Sequence, residues 1–168
     1  MARMVRHGCS HAVMEVSSHA LDQARVAGIR FDAGCVTNVT RDHLDYHATL
    51  HDYRLSKSKL FDYLPPEAVA VINADDPISA GYLPLIDGPV LTVGIRSAAE
   101  IMAEPIEQCL SEQTFMLTAG SQSIPVRTKM IGVHHVYNCL VAAAVGLAEG
   151  IELPTIVRGL EMVEYVPG

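Results

Sequence analysis

The chain has 168 residues, 49% hydrophobic and 18% charged, which fits one domain with a packed core and excludes a disordered polymer. Twelve Lys+Arg against nineteen Asp+Glu give a net charge of −7, so neither nonspecific nucleic-acid binding nor an anionic membrane surface suits it. No apolar run approaches the roughly 20 residues of a membrane-spanning helix, and residues 1–10 lack the apolar centre of a secretory signal.

Four β-type runs rich in Val, Ile and Ala come first: His11–Val16, Phe31–Val39, Ala68–Ala74 and Val90–Ile95. Between the second and third, His51–Leu64 reads as a helix with Tyr53, Leu55, Leu60, Phe61 and Leu64 on one face, stopped by Pro65-Pro66. Strands apolar on both faces and separated by helical segments predict an α/β fold: a mostly parallel sheet flanked by helices. After Ile95 the pattern changes. Ile101–Ile106, Thr114–Thr118 and Ile124–Met130 read as strands, with a hairpin turn at residues 119–123, so a small antiparallel β subregion is expected over about 99–130. Two helices close the single domain over about 135–164: Val136–Glu149, ended by Gly150, and Pro154–Val163, with proline in its first turn. The last residues, Val166-Pro167-Gly168, have linker character. Cys9, Cys35, Cys109 and Cys139 form no CxxC pair and are expected as buried free thiols of a reducing compartment.

Polar residues cluster directly after the apolar runs. In Met14-Glu15-Val16-Ser17-Ser18-His19, a carboxylate and two hydroxyls follow the first run. They stand where open α/β sheets place ligands, beyond the carboxyl ends of the strands, although Ser17 or Ser18 as a helix cap and Glu15 as a solvated strand end explain them equally well. Residues 37–47 (Thr-Asn-Val-Thr-Arg-Asp-His-Leu-Asp-Tyr-His) follow the second run and are denser in titratable groups than a connection needs, which favours metal, phosphate or acid–base work. His43, between Asp42 and Asp45, is read as functional; His47 and His51 are read as a solvated helix face. Composition does not separate Lys57 from Lys59 in Ser56-Lys57-Ser58-Lys59. Asn73-Ala74-Asp75-Asp76-Pro77 is a third polar cluster after a third apolar run, for which a turn with helix capping is the ordinary explanation, and His134–Asn138 is a helix start that caps or touches a ligand. Three such clusters imply one crevice at one sheet edge, and neither GxxxxGK[ST] nor GxGxxG occurs in the chain.

The run from Met14 to Val26, with Thr37-Asn38 and Arg41-Asp42-His43-Leu44-Asp45-Tyr46-His47, resembles the central ATPase domain of the Mur ligases. Within them it is most similar to the group adding the third amino acid, diaminopimelate or L-lysine, to UDP-N-acetylmuramoyl-L-alanyl-D-glutamate. Folylpolyglutamate synthases share the DHxD element but not the SSHAL run. The resemblance implies a cytoplasmic ATP-dependent amide ligase of peptidoglycan precursor synthesis that uses Mg²⁺ and passes through an acyl phosphate. By this resemblance Glu15 and His43 are metal-side residues, with histidine sharing an oxygen-preferring ion with water. Lys57 matches the family's carbamylated lysine, an anion able to hold metal or orient the acyl phosphate. Ser17, Gln23 and Arg25 match contacts to the UDP-muramoyl-dipeptide, and Asn138 matches the asparagine near adenine. One departure is His135, which stands where the family has asparagine.

The resemblance also places the family's P-loop upstream of residue 1 and its amino-acid-selecting domain downstream of residue 168. The expectation is therefore that these residues alone do not turn over, and that the uncovered sheet promotes self-association. The competing expectation is a non-catalytic truncated homologue or binding module that keeps the fold.

Overall fold

The apolar runs from Phe31 onward pair into a single sheet. The computed structural model describes residues 2–39 and 47–165. Its strands are β1 (Ala33–Val36), β2 (Val69–Asn73), β3 (Val90–Gly94), β4 (Ile101–Gln108), β5 (Gln113–Ala119) and β6 (Gln122–Thr128), adjacent in that order. β1 to β4 run parallel, and β4–β5 and β5–β6 are antiparallel. The helices are α1 (Ala2–Arg6), α2 (Ser18–Asp22), α3 (Leu50–Ser58), α4 (Pro77–Ala80), α5 (Val133–Ala148) and α6 (Leu153–Glu161).

Val71 and Ile72 are neighbours on β2, point to opposite faces, and are both fully buried. Val71 joins Val93, Ile101, Phe115 and Leu117 in a core completed by apolar residues of α5 and α6. Ile72 packs with Val36, Val39, Tyr53 and Tyr82 on the other face, toward α3. Burial on both faces is what strands without alternation require. On β5 the pattern changes to alternation, with Phe115 and Leu117 inward and Thr114, Met116 and Thr118 partly exposed. The antiparallel subregion expected over about 99–130 is present as β4–β6, and it continues the same sheet. Gly146 lets α6 approach α5 closely, because a Cβ there would lie 2.9 Å from Ile156 Cδ1.

The structure corrects several expectations. Residues 11–16 form no strand and pair with none among the described residues, and Val13 is 94% exposed. Their composition favours an extended backbone, but a strand also needs a neighbour to complete its ladder. α3 ends at Ser58, well before Pro65, and a 3₁₀ turn at Phe61–Tyr63 carries the chain onward. Leu55 consequently faces solvent, while Tyr53, Leu60 and Phe61 reach the core. α5 starts at Val133, three residues earlier than predicted. All four cysteines are free, but Cys9 and Cys109 are exposed rather than buried. Residues 166–168 lie outside the described residues.

Local signals at the helix starts act as their chemistry dictates. The Thr49 hydroxyl accepts from Asp52 N–H at 3.1 Å and donates to the Asp52 carboxylate at 2.7 Å, closing the first turn of α3. Losing such a cap costs about 1 kcal/mol, so Thr49→Ala lowers the melting temperature by about 3 °C in a domain of this size. Thermal melts by circular dichroism check this; an unshifted midpoint counts against the cap.

Candidate active site at the carboxyl edge of the sheet

The chain beyond β2 organises this edge. Asn73 is 3% exposed and donates through Nδ2 to the Thr37 carbonyl at 2.8 Å, tying the end of β1 to that of β2. Asp76 accepts from Val39 N–H at 2.8 Å and caps α4 through Ile78 and Ser79 N–H. Capping thus accounts for Asp76, as its Asp-Pro context predicts. Asp75 accepts from the N–H groups of Ile95, Arg96 and Ser97 and from the Tyr137 hydroxyl at 2.7 Å. Burial alone would push this carboxyl up, but the donors of Ile95, Tyr137, Arg96 and Ser97 outweigh it and hold it well below the ordinary carboxylate range.

The Tyr137 bond brings the amino-terminal part of α5 to the same edge, and Asn138 stands next to Tyr137, exposed. His135 is partly buried, and its Nδ1 has no hydrogen-bond partner among the described residues. The other end of α5 approaches the start of the segment 11–16, with Glu149 Oε2 3.8 Å from His11 Nε2. Glu15 is exposed and forms no hydrogen bond or ion pair among the described residues. It does not sit at the end of a paired strand, which is a correction to the expectation from its sequence context.

α2 follows directly. The Ser17 hydroxyl accepts from Ala20 N–H at 3.2 Å, so the capping role is realised. The helix closes with Arg25 N–H on the Ala20 carbonyl, Ala24 N–H on the Leu21 carbonyl, and Ala24 in the left-handed region at φ 51°. Glycine is the usual residue for that position, and its absence hides this turn from sequence reading. The turn sets Gln23 and Arg25 side by side: Arg25 Nε and Nη2 both donate to Gln23 Oε1, at 2.9 and 2.6 Å. Both residues are exposed.

α2 packs on α3, and polar contacts tie it to the residues flanking that helix. Lys59 Nζ lies 2.7 Å from Asp22 Oδ1, and Ser18 Oγ lies 2.9 Å from His47 Nε2. His47 is 4% exposed, which corrects its reading as part of a solvated face; His51 is exposed, as expected. Lys57 is partly buried, with Nζ 5.2 Å from the centre of the Tyr53 ring. His43 lies outside the described residues. The structure thus places Ser17 at the start of α2, Gln23 and Arg25 in the turn after it, Lys57 on α3 and Asn138 on α5.

Mg²⁺ takes oxygen ligands, and one or two carboxylates suffice when phosphates and water complete its shell. Among the described residues Glu15 offers an uncommitted carboxylate, whereas Asp75 and Asp76 are engaged by backbone N–H groups. The donor chemistry fits, although no group of three His, Cys, Asp or Glu side chains is poised for a metal among the described residues. Burial pushes the Cys35 and Cys139 thiols up to about 11, so these two stay protonated at neutral pH and are poor nucleophiles.

Comparison with known proteins decides the lineage of this arrangement. The family profile described as the Mur ligase middle domain matches residues 1–146. The chain belongs to the Mur ligase family. A UDP-N-acetylmuramoyl-L-alanyl-D-glutamate–2,6-diaminopimelate ligase of Geobacillus kaustophilus is 43% identical over 172 residues, covering 99% of this chain and 35% of that protein. The corresponding ligase of Geobacter metallireducens is 39% identical, covering 98% of this chain and 34% of its own length. This Mur ligase chain thus spans about a third of the length of the curated relatives it matches. A solved structure of a diaminopimelate ligase of the same name superposes with a TM-score of 0.87 at 29% identity, over 97% of this chain and 34% of that one. A MurF ligase from Thermotoga maritima in complex with ADP shares the fold, with a TM-score of 0.75 at 17% identity over 91% of this chain and 35% of its own.

Proposed function

We propose that the chain is the middle-domain part of an ATP-dependent amide ligase of peptidoglycan precursor synthesis. It would act in the cytoplasm, joining diaminopimelate to UDP-N-acetylmuramoyl-L-alanyl-D-glutamate through an acyl phosphate. The observation that carries this reading is the turn after α2, which presents Gln23 and Arg25 together in a chain 43% identical to a diaminopimelate ligase.

The chemistry follows from the charges involved. Substrate carboxylate and ATP both carry negative charge, so the main problem is neutralisation and alignment. Arg25 supplies a planar fork for a carboxylate or phosphate, with Gln23 holding its orientation. Ser17 places a hydroxyl at the start of the same helix. Asn138 on α5 offers an amide for the adenine. Glu15, with His43 and a carbamylated Lys57, would hold Mg²⁺, which supplies charge neutralisation on the phosphates when bound. Lys57 would become such a ligand by losing one proton, forming an N–C bond to CO₂ as one C–O π bond opens, and releasing a second proton to water, which turns a cation into a two-oxygen anion.

The test is a graft of residues 1–165 into the Geobacillus kaustophilus ligase in place of the matching segment. Phosphate release that needs ATP, UDP-muramoyl-dipeptide and diaminopimelate together is the expected result. A folded graft that releases none, beside an active parent enzyme, sinks the reading.

A further inference from the structure

Ser18, His47, Tyr53 and Lys57 form a continuous chain of contacts from α2 into α3. Ser18 is 1% exposed, His47 4% and Tyr53 3%. Buried polar side chains need partners, and Ser18 Oγ and His47 Nε2 provide one for each other at 2.9 Å. The His47 ring then packs against Tyr53 at a centroid distance of 5.4 Å and against His19 at 5.6 Å. One helical turn after Tyr53, Lys57 lays its ammonium over the ring face at 5.2 Å.

We propose that Ser18, His47 and Tyr53 are positioning residues for Lys57: the buried Ser18–His47 pair fixes the Tyr53 ring, and the ring face seats the lysine amine. The inference rests on the role given to Lys57 above and extends it to the residues that hold it. A lysine stem has up to about 2 kcal/mol of rotamer entropy, so an amine without a seat samples solvent in many directions. The aromatic seat narrows that range. Because the same contacts anchor α2, the turn bearing Gln23 and Arg25 and the amine of Lys57 are held in one frame. A helical lysine with an ordinary solvated role needs no such support, and Lys59, two residues on, is paired instead with Asp22 at the surface.

Trace acetylation of the whole chain with acetic anhydride, read peptide by peptide in a mass spectrometer, tests the seat. The readout is Lys57 labelling relative to Lys129, which follows β6 at the opposite end of the sheet order from β1. Tyr53→Phe keeps the ring face, and its labelling ratio should stay at the parental value. Tyr53→Leu and Ser18→Ala should raise the ratio about threefold or more, the scale of one lost cation–π contact. Ratios in Tyr53→Leu and Ser18→Ala equal to the parental one overturn the proposal, as does a rise in Tyr53→Phe matching that in Tyr53→Leu. Thermal melts establish that each variant is folded at the labelling temperature. Should Tyr53→Leu unfold, Ser18→Ala, which removes a single hydroxyl, decides the outcome. A carbamate carbon signal in ¹³C-bicarbonate, lost in Lys57→Arg, tests the earlier reading of Lys57 separately; its absence leaves the labelling result standing.

Discussion

Asp75→Ala lowers the melting temperature of the chain by about 6–12 °C. The reason lies in how β3 joins β4. The two are parallel neighbours, yet only residues 95–100 connect them, where parallel strands ordinarily need a crossover of a dozen or more residues. Their pairing is limited to Val93 with Ile101 and Gly94 with Met102. The connection must turn sharply, and Gly94 allows it: a Cβ there would come 2.7 Å from the Ser97 carbonyl oxygen. Turning leaves N–H groups with no ladder to join. Asp75 accepts those of Ile95, Arg96 and Ser97 at 2.6, 2.9 and 2.6 Å. Glu100 closes the other side, accepting from Thr92 N–H at 2.8 Å and from the Thr92 hydroxyl. Hydrogen bonds to a charged acceptor contribute about 1.5–3 kcal/mol each when buried, but water reaches this loop, so about 3 kcal/mol in total is the reasonable loss. At about 2–4 °C per kcal/mol for a domain of this size, that gives the stated shift. A fall under about 2 °C would show that solvent replaces the carboxylate without loss.

The same carboxylate gives this difference a pH signature. Its folded value is depressed, so the stabilisation is fully present above the ordinary carboxylate value of about 3.9 and fades as pH falls below it. The gap in melting temperature between the parental chain and Asp75→Ala should hold from about pH 7 to about pH 5 and then narrow in acid. A gap that widens on acidification contradicts the assignment. The consequence reaches the site as well, because the Tyr137 bond to Asp75 ties down the second turn of α5, on which Asn138 stands.

Asp75 illustrates which parts of this protein are legible in its sequence. The adjacent Asp76-Pro77 carries a recognised capping signal, and the structure realises it. Asp75 carries none, since its partners lie 20 to 62 positions away and are mostly backbone groups. The strands from β1 to β6 are visible because burial on two faces or on one leaves two distinct hydrophobic patterns. The segment at 11–16 has the first pattern but no neighbour in the sheet among the described residues, and composition does not encode who the neighbour is. His47 escapes sequence reading for a related reason: histidine at helical spacing looks solvated until a long-range hydroxyl, here Ser18, meets it. The turn that aims Arg25 is hidden because alanine, not glycine, occupies its left-handed position. What the sequence does carry plainly is the motif chemistry of residues 14–26, of which the α2 turn leaves Gln23 and Arg25 exposed.

Lys57 and Lys59 are where sequence composition leaves two residues equivalent and where function should separate them most sharply. In the grafted ligase, Lys57→Ala should slow phosphate release by about 10²–10³-fold, the usual effect of removing one preorganised charge from a transition state. Lys57→Arg should fall as far. Arginine keeps the cation but cannot take up CO₂, so equal losses identify the anion as the working form, whereas activity retained by arginine identifies a simple cation. Lys59→Ala removes an ion pair whose two side chains are 42% and 36% exposed. Such a pair contributes at most about 1 kcal/mol, and its loss leaves both ring contacts of Tyr53 in place. The rate should therefore stay within about threefold of the parent. A Lys59 variant as slow as Lys57→Ala would mean that the docking of α2 on α3, rather than the chemistry of one amine, limits the reaction.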